Sequence, residues 1–167
     1  MLKPEGRLVI GTENRYAIKY ICGDRDPYTN HNFDGIENYR RLSAADRDSI
    51  AGRCYSMAEL KSMLGQAGFD NDKFYSVMPS LQETQLVYAE GYEPVEELAM
   101  RYFPLYNYPD SVFLEEQYLY TDLIKNGMFH KMANAYIIEC SMDGQLDDTL
   151  HATISLDRGH DLSLIHI

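Results

Sequence analysis

The chain of 167 residues has no tryptophan, only three cysteines and far fewer basic than acidic residues, 15 against 26. The shortage of Lys and Arg leaves a net charge of −11 at pH 7. A surface of that sign repels phosphate backbones and anionic headgroups, so nucleic acid and acidic membrane are not expected as partners. Cys22, Cys54 and Cys140 are widely spaced and odd in number, with no CxxC or Cys–His spacing. Neither a disulfide framework nor a metal site is expected. Reduced thiols instead suit the cytoplasm. No apolar run reaches the length of a membrane span, and no signal peptide precedes the first strand, so membrane insertion is not expected. The sequence also lacks a phosphate loop, a nucleophile motif around Ser, Cys or Asp, and any internal repeat.

What is present begins at the amino end. Pro4 and Gly6 suit the second and fourth positions of a type I turn. Leu8, Val9 and Ile10 then form a continuous apolar run, expected as a strand covered on both faces. Arg15–Cys22 reads as a short helix or a loop. Gly23–Asn38 is rich in Asp, Asn, Gly, Pro and Tyr, which is loop chemistry. Ser43–Arg53 reads as a surface turn or mobile segment.

Ser56–Gly68 carries the strongest local signal. Ser56 and Glu59 form a capping box, and Met57, Leu60, Met63, Leu64 and Ala67 make one apolar face at helical spacing. Gly68 follows as a left-handed C-cap. Lys73–Met78 and Gln85–Glu90 read as two strands around a Pro79-Ser80 turn. Beyond Gly91, Val95–Tyr102 and Ser111–Lys125 read as helices, the second stopped by Asn126-Gly127. Ala133–Cys140 and Thr149–Ser155 have strand character, and Asp143-Gly144 between them predicts a hairpin. Glu93, Glu96 and Glu97 read as a solvated face, and His130 as structural. Leu162–Ile167 resembles translated sequencing adapter and is expected to be a non-native tail, with a genuine strand as the alternative.

Leu2-Lys3-Pro4-Glu5-Gly6 with its following strand resembles the passage that opens the last third of class I S-adenosylmethionine-dependent methyltransferases. Tyr55–Leu60 running to Ala67-Gly68-Phe69 is similar to the helix before that family's closing hairpin. The resemblance covers Leu2 to about Gly91. Gly11–Arg15, Lys19-Tyr20 and Phe33-Asp34-Gly35-Ile36 resemble a bacterial subgroup linked to surface-polysaccharide gene clusters and glycosyltransferases. There, Gly127, Phe129 and Ala133-Asn134-Ala135 have counterparts in an extra domain. The implied fold is α/β: the C-terminal portion of a Rossmann-like methyltransferase sheet (strand, helix, closing antiparallel hairpin), then a small α+β extension. The implied division is 1–91 for the methyltransferase part, 92–161 for the extension and 162–167 for the tail.

The family holds its cofactor with a glycine-rich turn and an acidic residue that have no counterpart here. The chain is therefore expected to be the substrate-side part of a methyltransferase. By itself it should be inactive and bind no S-adenosylmethionine. The implied acceptor is a glycan or other cell-surface precursor, and the implied partner a glycosyltransferase. Two alternatives stand beside this: a non-catalytic association module of a glycan-biosynthesis protein, and a nicotinamide-dependent Rossmann enzyme.

Ligands of open α/β sheets sit outside the carboxyl ends of strands, which puts Glu13, Asn14 and Arg15 where an acceptor would bind. The competing reading is a helix cap with a surface ion pair. His31 and Asp34 form a candidate base pair for deprotonating a hydroxyl, against two solvated loop residues. Tyr20, with Tyr16, Tyr28 and Tyr39, either lines the acceptor site or packs over the following helix.

Overall fold

The computed structural model describes residues 6–95, 98, 104–142, 146, 152–155 and 164–166. Its six strands are β1 (Arg7–Glu13), β2 (Asn71–Met78), β3 (Leu86–Ala89), β4 (Ala135–Ser141), β5 (Ala152–Ser155) and β6 (Leu164–His166). Its helices are α1 (Ile18–Ile21), α2 (Ala44–Ser49), α3 (Met57–Gln66), α4 (Tyr120–Lys125) and α5 (Phe129–Met132). The chain is mixed α/β, and every strand pair in its one open sheet is antiparallel. The spatial order is β1-β4-β2-β3-β5-β6.

The register carries a further consequence. Leu8 faces Cys140, which faces Asp72; Glu13 faces Ala135, which faces Val77. Because β1 and β2 both run antiparallel to β4, they run parallel to each other. The connection β1–α3–β2 is thus a parallel β–α–β crossover, with β4 inserted between its two strands.

One face of the sheet makes the core. Leu8 and Ile10 of β1 lie beside Cys140, Ile138 and Tyr136 of β4, then Phe74 and Met78 of β2, then Leu86 and Tyr88 of β3. Leu60 and Leu64 of α3, Tyr120 of α4, Phe129 of α5 and Ile18 of α1 belong to the same buried cluster. Phe74 meets Tyr136 edge to face at 5.6 Å, and Phe129 meets both Tyr88 and Tyr120 the same way. On the opposite face Leu81 reaches to 3.5 Å from where a Gly11 Cβ would stand, while Val9 is 65% exposed.

Several expectations are met and several corrected. The β2–β3 hairpin forms, and the capping box forms at Ser56, whose N–H donates to Glu59 Oε2 at 2.8 Å. The run Leu8–Ile10 is not covered on both faces: Leu8 and Ile10 pack on the core while Val9 faces out on the open side, so burial alternates. Met63 and Ala67 are exposed, because α3 touches the core through the narrower Leu60–Leu64 stripe. Ser111–Lys125 is not one helix. It is split into the 3-10 turns Pro109–Ser111 and Glu116–Tyr118 and then α4. Neither turn has a side-chain cap. The Ser111 hydroxyl donates to the Gly23 carbonyl, and the Phe113 and Leu114 N–H groups donate to that of Cys22 and not along a helix.

β4 and β5 do not pair. β4 takes the slot between β1 and β2, while β5 pairs with β3. The strands after residue 91 therefore belong to the same sheet as those before it. Ser43 caps a short exposed α2, as a surface segment. β6 falls within the stretch read as a tail, and its backbone pairs with β5. The Pro4 turn and the helix expected at Val95–Tyr102 lie outside the described residues, Val95 and Leu98 excepted.

Leu60→Ala is expected to lower unfolding free energy by about 2–5 kcal/mol, as buried large-to-small changes do. Met63→Ala, on the same helix but 40% exposed, is expected to cost under about 1 kcal/mol. Urea melts of the two variants check the contrast; equal effects would contradict the placement of α3.

Candidate functional site

The carboxyl ends of β1 and β2 flank the amino end of β4, and polar side chains gather there. Asn14 is fully buried. Its Nδ2 donates to the carbonyls of Lys131 and Ala133, both at 2.9 Å, and its Oδ1 accepts the Tyr16 N–H at 3.1 Å. Asn134, equally buried, accepts from the Asn14 N–H at its backbone oxygen and from the Lys19 N–H at Oδ1. Its Nδ2 donates to Glu116 Oε2 at 3.3 Å. Burial of such amides is tolerable only with these partners.

Beside them, Glu13 Oε2 receives Lys19 Nζ at 2.7 Å and the Tyr20 hydroxyl at 2.8 Å. Burial first, and then the Glu13 charge, drive the Tyr20 phenol far above its ordinary range. Tyr20 is thus a fixed proton donor. Arg15 turns away from this group. Its Nε donates to Glu59 Oε2 at 2.8 Å and Nη1 to the Ile36 carbonyl at 3.0 Å. Burial pushes the Glu59 carboxyl up, but hydrogen bonds from Ser56 and the Arg15 charge outweigh this and hold it below its ordinary value.

The loop after α1 is ordered around Asp26, which is 2% exposed. Its carboxylate accepts the N–H groups of Tyr28 and Thr29 and the Tyr39 hydroxyl. Gly35 packs so closely that a Cβ there would stand 2.7 Å from Asp26 Oδ2. His31 Nδ1 lies 3.3 Å from Asp34 Oδ2; the imidazole is exposed and the carboxylate buried.

Gly23, at φ +111°, anchors this loop to the 3-10 segment, its carbonyl accepting from Ser111 and Asn32. The same loop, with Ile50 to Tyr55, forms a cleft of about 400 Å³. Tyr28, Tyr39, Tyr55, Arg47, Arg53, Ile50 and Gly52 line it. Tyr55 joins the cleft to β1, since its carbonyl accepts the Arg15 N–H.

The structure therefore brings Glu13 and Tyr20 together, and His31 and Asp34 together, but not the two pairs into one contact. Asn14 is consumed by backbone groups, and Arg15 by α3 and Ile36. Lys19, Asn134 and the cleft arginines were not singled out in the sequence as site residues. For Lys19 the missed signal is a cation directly after an apolar Ala17-Ile18 pair in a segment too short to stay at the surface.

Burial raises all three thiols, Cys22 and Cys54 to about 12, so none is an activated nucleophile. Among the described residues no group of His, Cys, Asp and Glu could hold a metal ion. No helix among them is long and apolar enough to cross a membrane. No family model matches the chain, and no curated protein or solved structure is significantly similar to it.

Asn14→Ala is expected to cost about 2 kcal/mol or more, because it orphans two buried carbonyls and the Tyr16 N–H. A thermal melt within error of wild type would show that the strand ends do not depend on it. His130 gives a pH prediction. Its Nε2 lies 3.0 Å from the Tyr92 carbonyl, which only accepts, so Nε2 carries the proton and Nδ1 accepts the Ser76 hydroxyl at 2.8 Å. Burial lowers its pKa from about 6.5, against the Tyr92 contact, Glu93 and Glu90. The unfolded chain binds this proton more readily, so stability falls as pH drops below about 6.5. Melts from pH 8 to 5 should show that slope reduced in His130→Gln.

Proposed function

We propose that this chain is the substrate-side part of an S-adenosylmethionine-dependent methyltransferase that acts on a glycan or other cell-surface precursor. The observation that carries the reading is the parallel β1–α3–β2 crossover closed by an antiparallel strand. The strand–helix–strand order is the one implied by Leu2–Gly6 and Tyr55–Phe69, while the inserted antiparallel strand is β4, from beyond Gly91, and not a strand of the expected closing hairpin. A long excursion leaves the carboxyl end of β1, where such sheets present their substrate groups.

The described residues do not fit the cofactor itself. The N–H groups after β1 are all used internally: Asn14 on Asn134, Arg15 on Tyr55, Tyr16 on Asn14 Oδ1, and Ala17 on the Asn14 carbonyl. The backbone N–H groups of residues 14–17 are therefore not free to hold a nucleoside or carboxylate. On this reading the chain's own part is to bind and deprotonate the acceptor. His31 is the base: it is open to solvent, and Asp34 Oδ2, 3.3 Å from its Nδ1, orients the ring.

The alternative reading, an association module, draws on Phe113 and Tyr118, which are 62% and 75% exposed. Labelled methyl transfer to glycan precursors by the complete gene product separates the two readings. Transfer is expected, with His31→Gln lowering turnover about 10²-fold or more at unchanged cofactor affinity. The 167-residue chain alone should show no calorimetric binding of S-adenosylmethionine. Micromolar binding by that chain, or transfer indifferent to His31, would contradict these assignments; no transfer at all would favour the module.

A further inference from the structure

Cations in the interior of this chain are paired. Arg15 has Glu59, and Lys19 has Glu13. Two half-buried arginines do not follow that rule: Arg25, which lies 5.0 Å from the Tyr108 ring centroid, and Arg53. The Arg53 guanidinium sits 5.1 Å from the Tyr39 ring centroid and 5.4 Å from that of Tyr55, and it donates to Asn38 Oδ1. Its Nε is sealed from solvent without a hydrogen-bond acceptor among the described residues. Neither Arg53 nor Arg47, across the same cleft, has a carboxylate within ion-pair distance among those residues. Aromatic faces offset part of the desolvation of a cation, but a half-buried charge without a counter-ion remains costly.

The surroundings say what would complete it. The cleft has two arginines and no acidic residue in its lining, in a chain of net charge −11. Its other main walls are the rings of Tyr28, Tyr39 and Tyr55. Tyr39 is buried, with its hydroxyl tied to Asp26 and its ring beneath Arg53, so it is the floor that holds Arg53 in place, and the exposed Tyr28 ring is the surface open to a ligand. Tyr28 packs closely on Gly52, where a Cβ would come within 2.5 Å of its Cε1. Guanidinium groups match phosphate oxygens in bidentate geometry, and tyrosine rings stack on sugar or base faces. The volume, about 400 Å³, suits a small ring with one anionic group.

We infer that the Arg47–Arg53–tyrosine cleft binds a phosphate carried on a ring, as in a sugar phosphate or a nucleotide. This goes beyond methyl transfer and does not rest on it, because it is read from the cleft alone.

Calorimetry on the full chain with glucose 1-phosphate and with uridine monophosphate tests it, with inorganic phosphate and glucose as controls. At least one ring phosphate should bind about 10-fold or more tighter than either control, equivalent to about 1.4 kcal/mol. Preference for the first probe would identify a sugar phosphate, and for the second a nucleotide. Arg53→Gln should abolish binding. Because that variant also removes a partly buried side chain, Arg47→Gln and Tyr28→Leu provide the second line. Both alter exposed residues, should keep the wild-type melt, and should each weaken binding about 10-fold. No binding of either ring phosphate would overturn the inference. So would inorganic phosphate binding as tightly as the ring phosphates, or folded Arg47 and Tyr28 variants that bind like wild type.

Discussion

The structure hangs on two buried asparagines at one end of the sheet. Asn14 closes β1 and Asn134 opens β4, and each uses its side chain on backbone from elsewhere in the chain. Asn14 ties β1 to the end of α5; Asn134 ties β4 to the start of α1 and to Glu116. Residues 120 apart in sequence are thereby fixed in register, and β4 is held in the gap between β1 and β2. Without such anchors a strand arriving so late would have only its ladder to specify its place. Apolar pairing along Ile138 and Cys140 tolerates sliding by two residues far better than two saturated amides do.

The same end of the sheet decides what chemistry is open to the chain. Asn14, Lys19 and Asn134 spend their polar groups on holding the strand ends, and Arg15 spends its own on Glu59 and the Ile36 carbonyl. Reactive capacity is displaced outward, into the excursion between α1 and α3. There Asp26 acts as an internal scaffold, receiving two N–H groups and a phenol, so that a segment with little regular structure still has a defined shape. On that scaffold stand the two features with exposed chemistry, the His31–Asp34 pair and the arginine–tyrosine cleft. Loops held by a rigid frame are where such groups are generally found.

Electrostatics point the same way. An acidic chain keeps its few interior cations neutralised by carboxylates at Glu13 and Glu59, which also serve Tyr20 and the cap of α3. These carboxylates therefore do two jobs each, one electrostatic and one geometric. Arg53 and Arg25 differ from these in having aromatic rings, and no carboxylate, beside them.

Local order was legible in the sequence. The capping box at Ser56, the helix stop at Gly68, the hairpin of β2 and β3 and the strand character of Leu8–Ile10 and Ala133–Cys140 all follow from interactions within a few residues. The loop chemistry of 23–38 was equally plain, whereas His31 and Asp34 could be read there as a pair or as two solvated loop residues, and only the structure puts them 3.3 Å apart. Strand partners were not legible. Asp143-Gly144 favours a hairpin locally, yet β4 gains two neighbours by leaving it for the gap between β1 and β2. Nor could the sequence show that Asn14 and Arg15 would be consumed by the framework, or that Met63 would miss the core. Those outcomes depend on which distant carbonyls, carboxylates and rings arrive beside a side chain. Only the tertiary structure brings Asn134 to Asn14, Glu59 to Arg15, and Tyr39 and Tyr55 to Arg53.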